Sequence, residues 1–428
     1  MTSTTRLLRS HGSRAGRVAA LVLLACFTPS VVVAQDSELF SAAVPPNVML
    51  VVDNSGSMNH VVWHPAFDPE ETPSCSCFDD STIYVRSSYS WGGCGDWGVP
   101  PGTYTVCGNT REIFEDPSVA ADGNSTRWSR DYLNWYFSDA ADAYASEIAD
   151  DDNGVHSQCL IDEGYSPAYP KYYGVSRVRA ARRILRDVIC QVNANGEVRF
   201  GIARFEVESD PDGGFVSVPI DDYSPTHGAA LEDAIEALEG ETYTPLGETL
   251  YNVYRYFQSR SNPALGKDGL PFDAYAIETD GSSGGSVPPS PLQYSCQKNF
   301  VLMITDGEPT KDDFDYPMDF DEFDARIGDY NPDNATSPEN GDDSRTGHND
   351  DISSGWETAL FLDDIAMFMN DSENGRDFQL DVEGVQTLDV YTVGFTTSAY
   401  ANDLLQKTAN VGNGLFFHSN NAEELSGA

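Results

Sequence analysis

Two unbroken apolar runs in the chain each end abruptly in polar residues. The first, residues 48–52, stops at Asp53, and the second, residues 300–304, stops at Thr305 and Asp306. Such a run predicts a strand that is buried on both faces, as in the middle of a parallel sheet. Open α/β sheets bind their ligands beyond the carboxyl ends of the strands, so we expect the polar residues after the first run to be functional.

The remaining apolar patterns alternate between strand and helix signals. Predicted strands cover residues 198–205, 215–220, 388–395 and 415–417, and the first two form an edge hairpin. Apolar residues at helical spacing predict helices over residues 175–192, 228–238, 248–258, 356–369 and 400–409. This alternation predicts an α/β fold with a doubly wound, mostly parallel sheet.

Three long stretches interrupt the alternation, at about residues 59–172, 259–297 and 311–351. The first contains a cysteine-rich part, residues 59–110, and a part with aromatic residues at helical spacing, residues 127–149. The second is rich in glycine, proline and serine, and the third in acidic and turn-forming residues. We interpret the second and third as loop insertions and expect a helix within residues 127–149.

The predicted helix over residues 175–192 carries five arginines: Arg177, Arg179, Arg182, Arg183 and Arg186. We interpret them as a solvated helix face that pairs with acidic residues elsewhere in the chain. An acid-binding patch is the alternative interpretation.

Residues 1–34 read as a secretory signal peptide rather than as part of the fold. Four arginines precede an apolar run at residues 18–27 that is too short to span a bilayer, and small residues at positions 32–34 suit cleavage. A lipoprotein signal ending at Cys26 is the alternative. No other segment approaches transmembrane length, so we expect an exported chain without an integral membrane segment after cleavage.

Seven of the eight cysteines follow the predicted signal peptide. In an exported protein they favour disulfides, and an odd number leaves one thiol free or paired between chains. A zinc cluster is the rival interpretation for residues 75–107, but Cys75 and Cys77 lack the usual two-residue spacing.

The chain is strongly acidic, with a formal net charge of −43. Binding to nucleic acid is excluded on this ground, because phosphate backbones are recognised by basic faces. The charge leaves room for additional Ca²⁺ sites. Asp329, Asn331 and Asp333 begin like a calcium loop, but the sixth position lacks glycine and Asn340 stands where a bidentate acid is expected.

The loop after the first apolar run carries the candidate chemistry. Asp53, Ser55 and Ser57 offer one carboxylate and two hydroxyls at alternate positions, so one tight turn can direct all three to a single point. Hard oxygen ligands with one local charge suit Mg²⁺ or Mn²⁺.

The pattern Asp53-x-Ser55-x-Ser57 resembles the first segment of the metal-ion-dependent adhesion site of von Willebrand factor A domains. The segment beginning at Thr244, with the sequence Thr-Pro-Leu-Gly, resembles the second, and the run ending at Asp306 resembles the third. The resemblance implies a divalent cation, Mg²⁺ or else Mn²⁺ or Ca²⁺, that is held by these five side chains.

In this family an acidic side chain of a protein partner fills an open coordination position, so the resemblance implies a protein ligand or a host or surface receptor. An acid of the first insertion is the alternative occupant, with Glu70, Glu71 and Asp79 as candidates. A compact A domain has only a short connection at this point. We therefore expect residues 59–172 to form a subdomain or cap beside the metal site.

Residues 44–428 further resemble the N-terminal half of the PilY1-type tip adhesins and assembly factors of bacterial type IV pili. The resembling segments include residues 44–58, 244–250, 299–309 and 390–395. This implies roles in pilus biogenesis, surface attachment and twitching motility, with minor pilins as partners. It also implies a location at the cell surface or pilus tip, with an outer-membrane or periplasmic pool. The C-terminal β-propeller of that family has no counterpart here, and the chain ends like a truncated helix.

Two other functions are alternatives. The first is a stand-alone secreted or surface adhesin that is unrelated to pili. The second is an enzyme, which we do not expect, because no P-loop occurs and His60 and His64 lack the glutamate of a zincin pattern.

Overall fold

The computed structural model describes part of the chain: residues 44–68, 71–78, 84–85, 102–113, 127–149, 154–155, 157–166, 168–169, 175–193, 198–207, 213–258, 289–307, 309–312, 362–370, 382–395, 397 and 399–419. The predicted signal peptide and the calcium-like segment at residues 329–340 lie outside these residues, as does most of the insertions at 259–297 and 311–351. The described residues from Pro45 onward belong to one structural unit.

The six predicted strands are present within a few residues of their predicted bounds, and six short strands within the first insertion were not predicted. Together they are β1 (Asn47–Val52), β2 (Tyr84–Val85), β3 (Gly102–Val106), β4 (Asn109–Ile113), β5 (Arg127–Trp128), β6 (Gly154–Val155), β7 (Ala168–Tyr169), β8 (Arg199–Phe205), β9 (Gly214–Val218), β10 (Asn299–Thr305), β11 (Asp389–Phe395) and β12 (Phe416–Ser419).

One six-stranded sheet has the order β12-β11-β10-β1-β8-β9. Its pairs are parallel except for β8 with β9, which form the predicted antiparallel edge hairpin. In chain order, β1 lies in the middle of the sheet, β8 and β9 follow on one side, and β10, β11 and β12 follow on the other, so the strand order reverses beside β1. The predicted fold class, a doubly wound and mostly parallel sheet, is confirmed, and β1 lies at its switch point.

The helices are α1 (Arg130–Tyr136), α2 (Ala145–Ala149), α3 (Gln158–Asp162), α4 (Arg177–Asn193), α5 (Pro225–Glu236), α6 (Leu246–Gln258), α7 (Leu362–Asn370) and α8 (Ala399–Val411). Short 3₁₀ turns occupy Gly56–Asn59 and Asp139–Ala141. None of the helices in these stretches is long and apolar enough to cross a membrane.

The sheet is buried on both faces because its side chains alternate between two hydrophobic cores. Met49 and Val51 join one core with α6, α7 and α8, whereas Leu50 and Val52 join the other with α4 and α5. Burial on both faces explains why β1 reads as an unbroken apolar run.

The first insertion has a third core of its own, built largely from aromatic side chains that include Phe67, Trp128, Tyr132 and Trp135. This core agrees with the expected subdomain. A disulfide between Cys75 and Cys107 links two parts of this insertion covalently.

The prediction of a helix within residues 127–149 is correct only in part, because no single helix extends over this range. The structure has a short strand, helix α1, a 3₁₀ turn and helix α2 in its place. Side chains of the β3–β4 hairpin bind the carbonyls at the end of α1: Arg111 Nε donates to the Tyr136 carbonyl at 3.2 Å, and Asn109 Nδ2 donates to the Phe137 carbonyl at 3.1 Å. These tertiary contacts satisfy groups that a continuing helix would otherwise use.

The described cysteines follow the disulfide prediction. Cys159 pairs with Cys190, Cys77 is also disulfide-bonded, and Cys296 is free and exposed. The rival zinc cluster is therefore not supported at Cys75 and Cys77.

The interpretation of the α4 arginines as a solvated face is only partly correct. Arg186 pairs with Glu232 and Glu236 of α5, as expected. Arg177, Arg179 and Arg182, however, are buried, since both the insertion and α5 pack against this helix.

Candidate metal site

The parallel pairing of β1 with β10 brings the first and third predicted metal segments together. Val52 is in register with Ile304, and the Asp53 amide donates to the Ile304 carbonyl at 2.9 Å. Both strands therefore end at the same edge of the sheet, and the loops that carry Asp53 and Asp306 meet there.

Side-chain hydrogen bonds connect these loops. Ser57 Oγ donates to Asp306 Oδ1 at 2.7 Å, and the hydroxyl oxygens of Ser55 and Ser57 lie 2.8 Å apart. Two hydroxyls and one carboxylate thus converge at one point.

The Asp53 carboxylate is held from both sides. Its Oδ1 accepts from the Ser55 amide at 2.7 Å, and its Oδ2 accepts from the Thr305 hydroxyl at 2.6 Å. The carboxylate is oriented toward the junction of the two loops by groups from β10 and from its own loop.

The segment that carries Thr244 lies against the first metal loop. The Gly56 amide donates to the Thr242 carbonyl at 2.8 Å, and Ser55 forms a parallel bridge with Thr242. Thr244 is buried and bridges Thr310 through its backbone. Its hydroxyl forms no hydrogen bond to any described residue, so it is available to a ligand at the site.

A buried aspartate fixes the start of α6 behind Thr244. Asp312 Oδ2 accepts from the Gly247 amide at 2.8 Å, and Oδ1 accepts from the Glu248 amide at 2.9 Å. These amides have no acceptor within the helix, so Asp312 caps its N-terminus. The negative charge of Asp312 also interacts favourably with the positive end of the helix dipole.

Two asparagines anchor the first metal loop to the rest of the sheet edge. Asn54 exchanges hydrogen bonds with the backbone of Phe205, at the end of β8. Asn59 Nδ2 donates to the Gly240 carbonyl at 2.6 Å, and a Cβ at Gly240 would lie only 2.7 Å from that nitrogen. These two asparagines therefore hold the loop at two places.

Two arginines bring positive charge to the site. Arg177 Nη1, at the first turn of α4, donates to Asp306 Oδ2 at 2.7 Å in a buried ion pair. Arg127 of β5 lies beside the metal loop, with both terminal nitrogens 3.5 Å from the position of a Cβ at Gly56. Burial, and then the charges of Arg177 and Arg127, lower the pKa of His60 to about 3, so His60 is neutral.

The negative charge of the site is larger than the buried positive charge. Asp53 is fully buried, and burial and then the nearby charge of Asp306 raise the pKa of Asp53 to about 7. Arg177 compensates one carboxylate and leaves the other without a buried counter-charge. A divalent cation would supply that charge, and the donor set of carboxylates and hydroxyls suits Mg²⁺ or Mn²⁺.

The hydrogen bonds bring Asp53, Ser55, Ser57 and Asp306 together and place the segment of Thr244 against them. Assignment of the five as metal ligands stays a prediction. Of the acids considered as an internal occupant, Glu71 is exposed, while Glu70 and Asp79 lie outside the described residues.

The two histidines have different surroundings, with His60 beside the metal loop and His64 among aromatic side chains. His64 belongs to the insertion, where its ring lies 5.9 Å from that of Trp135 and 4.8 Å from that of Tyr144.

Three residues of this site have no strong sequence signal: Arg127, Arg177 and Asp312. All three reach the site through tertiary contacts. The arginine content of α4 was the only available indication for Arg177.

No family model and no curated protein matches the chain. Among solved structures, the von Willebrand factor domain of the type V pili tip protein Mfa5 from Porphyromonas gingivalis is 11% identical. Its alignment covers 90% of this chain and 92% of that one, with a TM-score of 0.32.

The pilus adhesin SpaC from Lactobacillus rhamnosus GG is 14% identical over 59% of this chain and 27% of that chain, with a TM-score of 0.31. Proximal thread matrix protein 1 from the mussel byssus, solved with a zinc-occupied MIDAS motif, is 13% identical over 58% of this chain and 40% of that chain, with a TM-score of 0.25. The chain thus spans less than half of either protein. At this level of similarity the functional assignment rests on the site and on the sequence motifs.

Proposed function

We propose that this chain is the metal-dependent adhesion domain of a type IV pilus-associated protein that acts in pilus biogenesis, surface attachment and twitching motility. The observation that carries the proposal is the hydrogen bond from Ser57 to Asp306 Oδ1, at 2.7 Å. This contact joins two segments of the motif that lie far apart in the sequence. It supports a von Willebrand factor A-type metal site, and the pilus assignment draws on the sequence resemblance.

In this proposal one divalent cation is held by Asp53, Ser55, Ser57, Thr244 and Asp306, some of them through water. Mg²⁺ is the expected ion, with Mn²⁺ or Ca²⁺ as substitutes. The ion supplies charge for an acidic side chain of the partner, which is a minor pilin or a host or surface receptor. The role is binding rather than catalysis.

Attachment of the producing bacterium to a surface tests the metal-dependent role. Cells that carry Asp306→Asn should attach as poorly in Mg²⁺ as wild-type cells do in chelator. The matched control is Asp389→Asn, which removes a carboxylate from the opposite end of the sheet, at the start of β11. Equal attachment of wild-type and Asp306→Asn cells would contradict the proposal.

A blot of sheared pili tests the assignment to pili. Antibody to residues 175–260 should detect the protein in the sheared fraction of pilus-forming cells and not in that of a pilus-null strain. Surface protein at equal levels in both strains would favour a stand-alone adhesin.

A further inference from the structure

The side chain of Arg127 has no partner among the described residues, although the chain has a formal net charge of −43. Within the described residues its guanidinium forms no hydrogen bond and no ion pair, and the side chain is partly exposed. The nearby Arg177 contrasts with it, because Arg177 is buried against Asp306. Arg127 therefore has N–H donors that are free to bind another group.

Backbone contacts fix the place of Arg127 beside the metal loop. Its carbonyl accepts from the Val61 amide at 2.8 Å, and it forms a parallel bridge with His60. Its Nη1 and Nη2 each lie 3.5 Å from the Cβ position of Gly56, which stands between Ser55 and Ser57. The free donors thus lie against the metal loop at the residue between two predicted metal ligands.

The guanidinium of Arg127 does not neutralise the site through a direct ion pair, since none of the ion pairs among the described residues joins it to Asp53 or Asp306. Arg177 already pairs with Asp306, and His60 offers no negative charge for Arg127 to offset. An unpaired cation next to a cation site weakens metal binding unless a further anion arrives.

We propose that Arg127 is a second contact for the ligand, so that a carboxylate bound at the metal loop also accepts hydrogen bonds from the Arg127 guanidinium. The guanidinium fork matches the planar geometry of a carboxylate and binds it more strongly than a neutral donor would. The first insertion thereby contributes a specificity residue to the sheet-borne metal site. This inference rests on the proposed metal-dependent function.

Acetate serves as the probe, and the full chain with Mn²⁺ in place of Mg²⁺ serves as the protein. Free Mn²⁺, measured by electron paramagnetic resonance, gives the affinity for the ion. The water-proton relaxation rate of the bound Mn²⁺ then reports displacement of its water by acetate, with total salt held constant by exchange against chloride. The variants are Arg127→Gln, Arg127→Lys and, as control, Arg130→Gln, which removes an arginine of the same insertion that pairs with Asp131.

Arg127→Gln should bind Mn²⁺ at least as tightly as wild type but need about tenfold more acetate for half-displacement. Arg127→Lys keeps the positive charge but lacks the guanidinium fork, so it should need an intermediate acetate concentration. Arg130→Gln should need the same concentration as wild type. If wild type and Arg127→Gln both bind Mn²⁺ and need the same acetate concentration for half-displacement, this inference is overturned but the proposed function is not. Failure of the wild-type chain to bind Mn²⁺ would overturn the proposed function, and this inference with it.

Discussion

The guanidinium of Arg177 lies 2.7 Å from Asp306 Oδ2, and both side chains are almost fully buried, with exposures of 6% and 0%. The ring of Trp63, in the insertion, packs against the same guanidinium. The central carbon of that guanidinium lies 5.7 Å from the ring centroid. Asp306 is also the predicted metal ligand of the third segment. Arg177 and a bound metal ion would therefore compete for the same carboxylate.

Replacing Arg177 tests this competition. Arg177→Gln should lower the stability of the metal-free protein by about 3 kcal/mol, because it leaves a buried carboxylate without its partner. It should also raise the affinity for Mn²⁺ about tenfold, since a positive charge next to the ion is removed. Chemical unfolding and Mn²⁺ titration measure the two effects.

Arg186→Gln is the matched control for that experiment. Arg186 lies on the same helix and pairs with Glu232 and Glu236, away from the metal loop. Its loss should lower stability slightly and leave the affinity for Mn²⁺ unchanged. Weaker Mn²⁺ binding in Arg177→Gln than in wild type would show that Arg177 supports the ion rather than competing with it.

The raised pKa of Asp53 predicts a pH dependence of stability. Burial and the charge of Asp306 move this pKa from 3.8 to about 7 in the folded, metal-free protein. The folded state therefore binds a proton more tightly than the unfolded state does, so the contribution of Asp53 to stability falls as pH rises from about 4 to about 7. The sign is opposite to that of an aspartate in an ordinary surface ion pair.

The comparison of wild type with Asp53→Asn isolates this effect from the many other acids. The stability of the wild type relative to the variant should decline across that pH window without divalent ions. Saturating Mg²⁺ should remove the decline, because the ion and the proton compete for the same carboxylate. A difference between the two proteins that does not change with pH would contradict the account.

Asp312 predicts a link between helix capping and the metal site. Asp312→Ala should destabilise the protein by about 1–2 kcal/mol, since it leaves the amides of Gly247 and Glu248 without their acceptor. Asp312→Asn retains one acceptor oxygen and should be less damaging. Because α6 follows the segment of Thr244 directly, Asp312→Ala should also weaken Mn²⁺ binding. Unchanged stability in chemical unfolding would show that the cap is dispensable.

The sheet could be predicted from the sequence because local pattern and burial agree there. The run at residues 300–304 became the central part of β10, and the strand predicted at residues 198–205 starts one residue later, at Arg199. Resemblance to the metal segments of von Willebrand factor A domains selected Thr244 and Asp306, of which the first precedes a helix and the second follows a strand.

The rest depends on contacts between residues that are far apart in the chain. Arg177 and Asp306 are separated by 129 positions, and Asp312 caps a helix 65 positions earlier. The break after α1 has a similar cause, because Arg111 binds a carbonyl of α1 from a separate hairpin. Periodicity is a local signal, so it gives no information about such contacts.

Titration of the metal-free protein with Mn²⁺, followed through free Mn²⁺, tests the central claim most directly. We expect one tight site per chain in wild type and in Asp389→Asn, and loss of that site in Asp306→Asn and in Ser57→Ala. Weak binding of further ions to the acidic surface should remain in all four proteins. A tight site that survives in Asp306→Asn, or is missing from wild type, would contradict the claim that these two loops form a metal site.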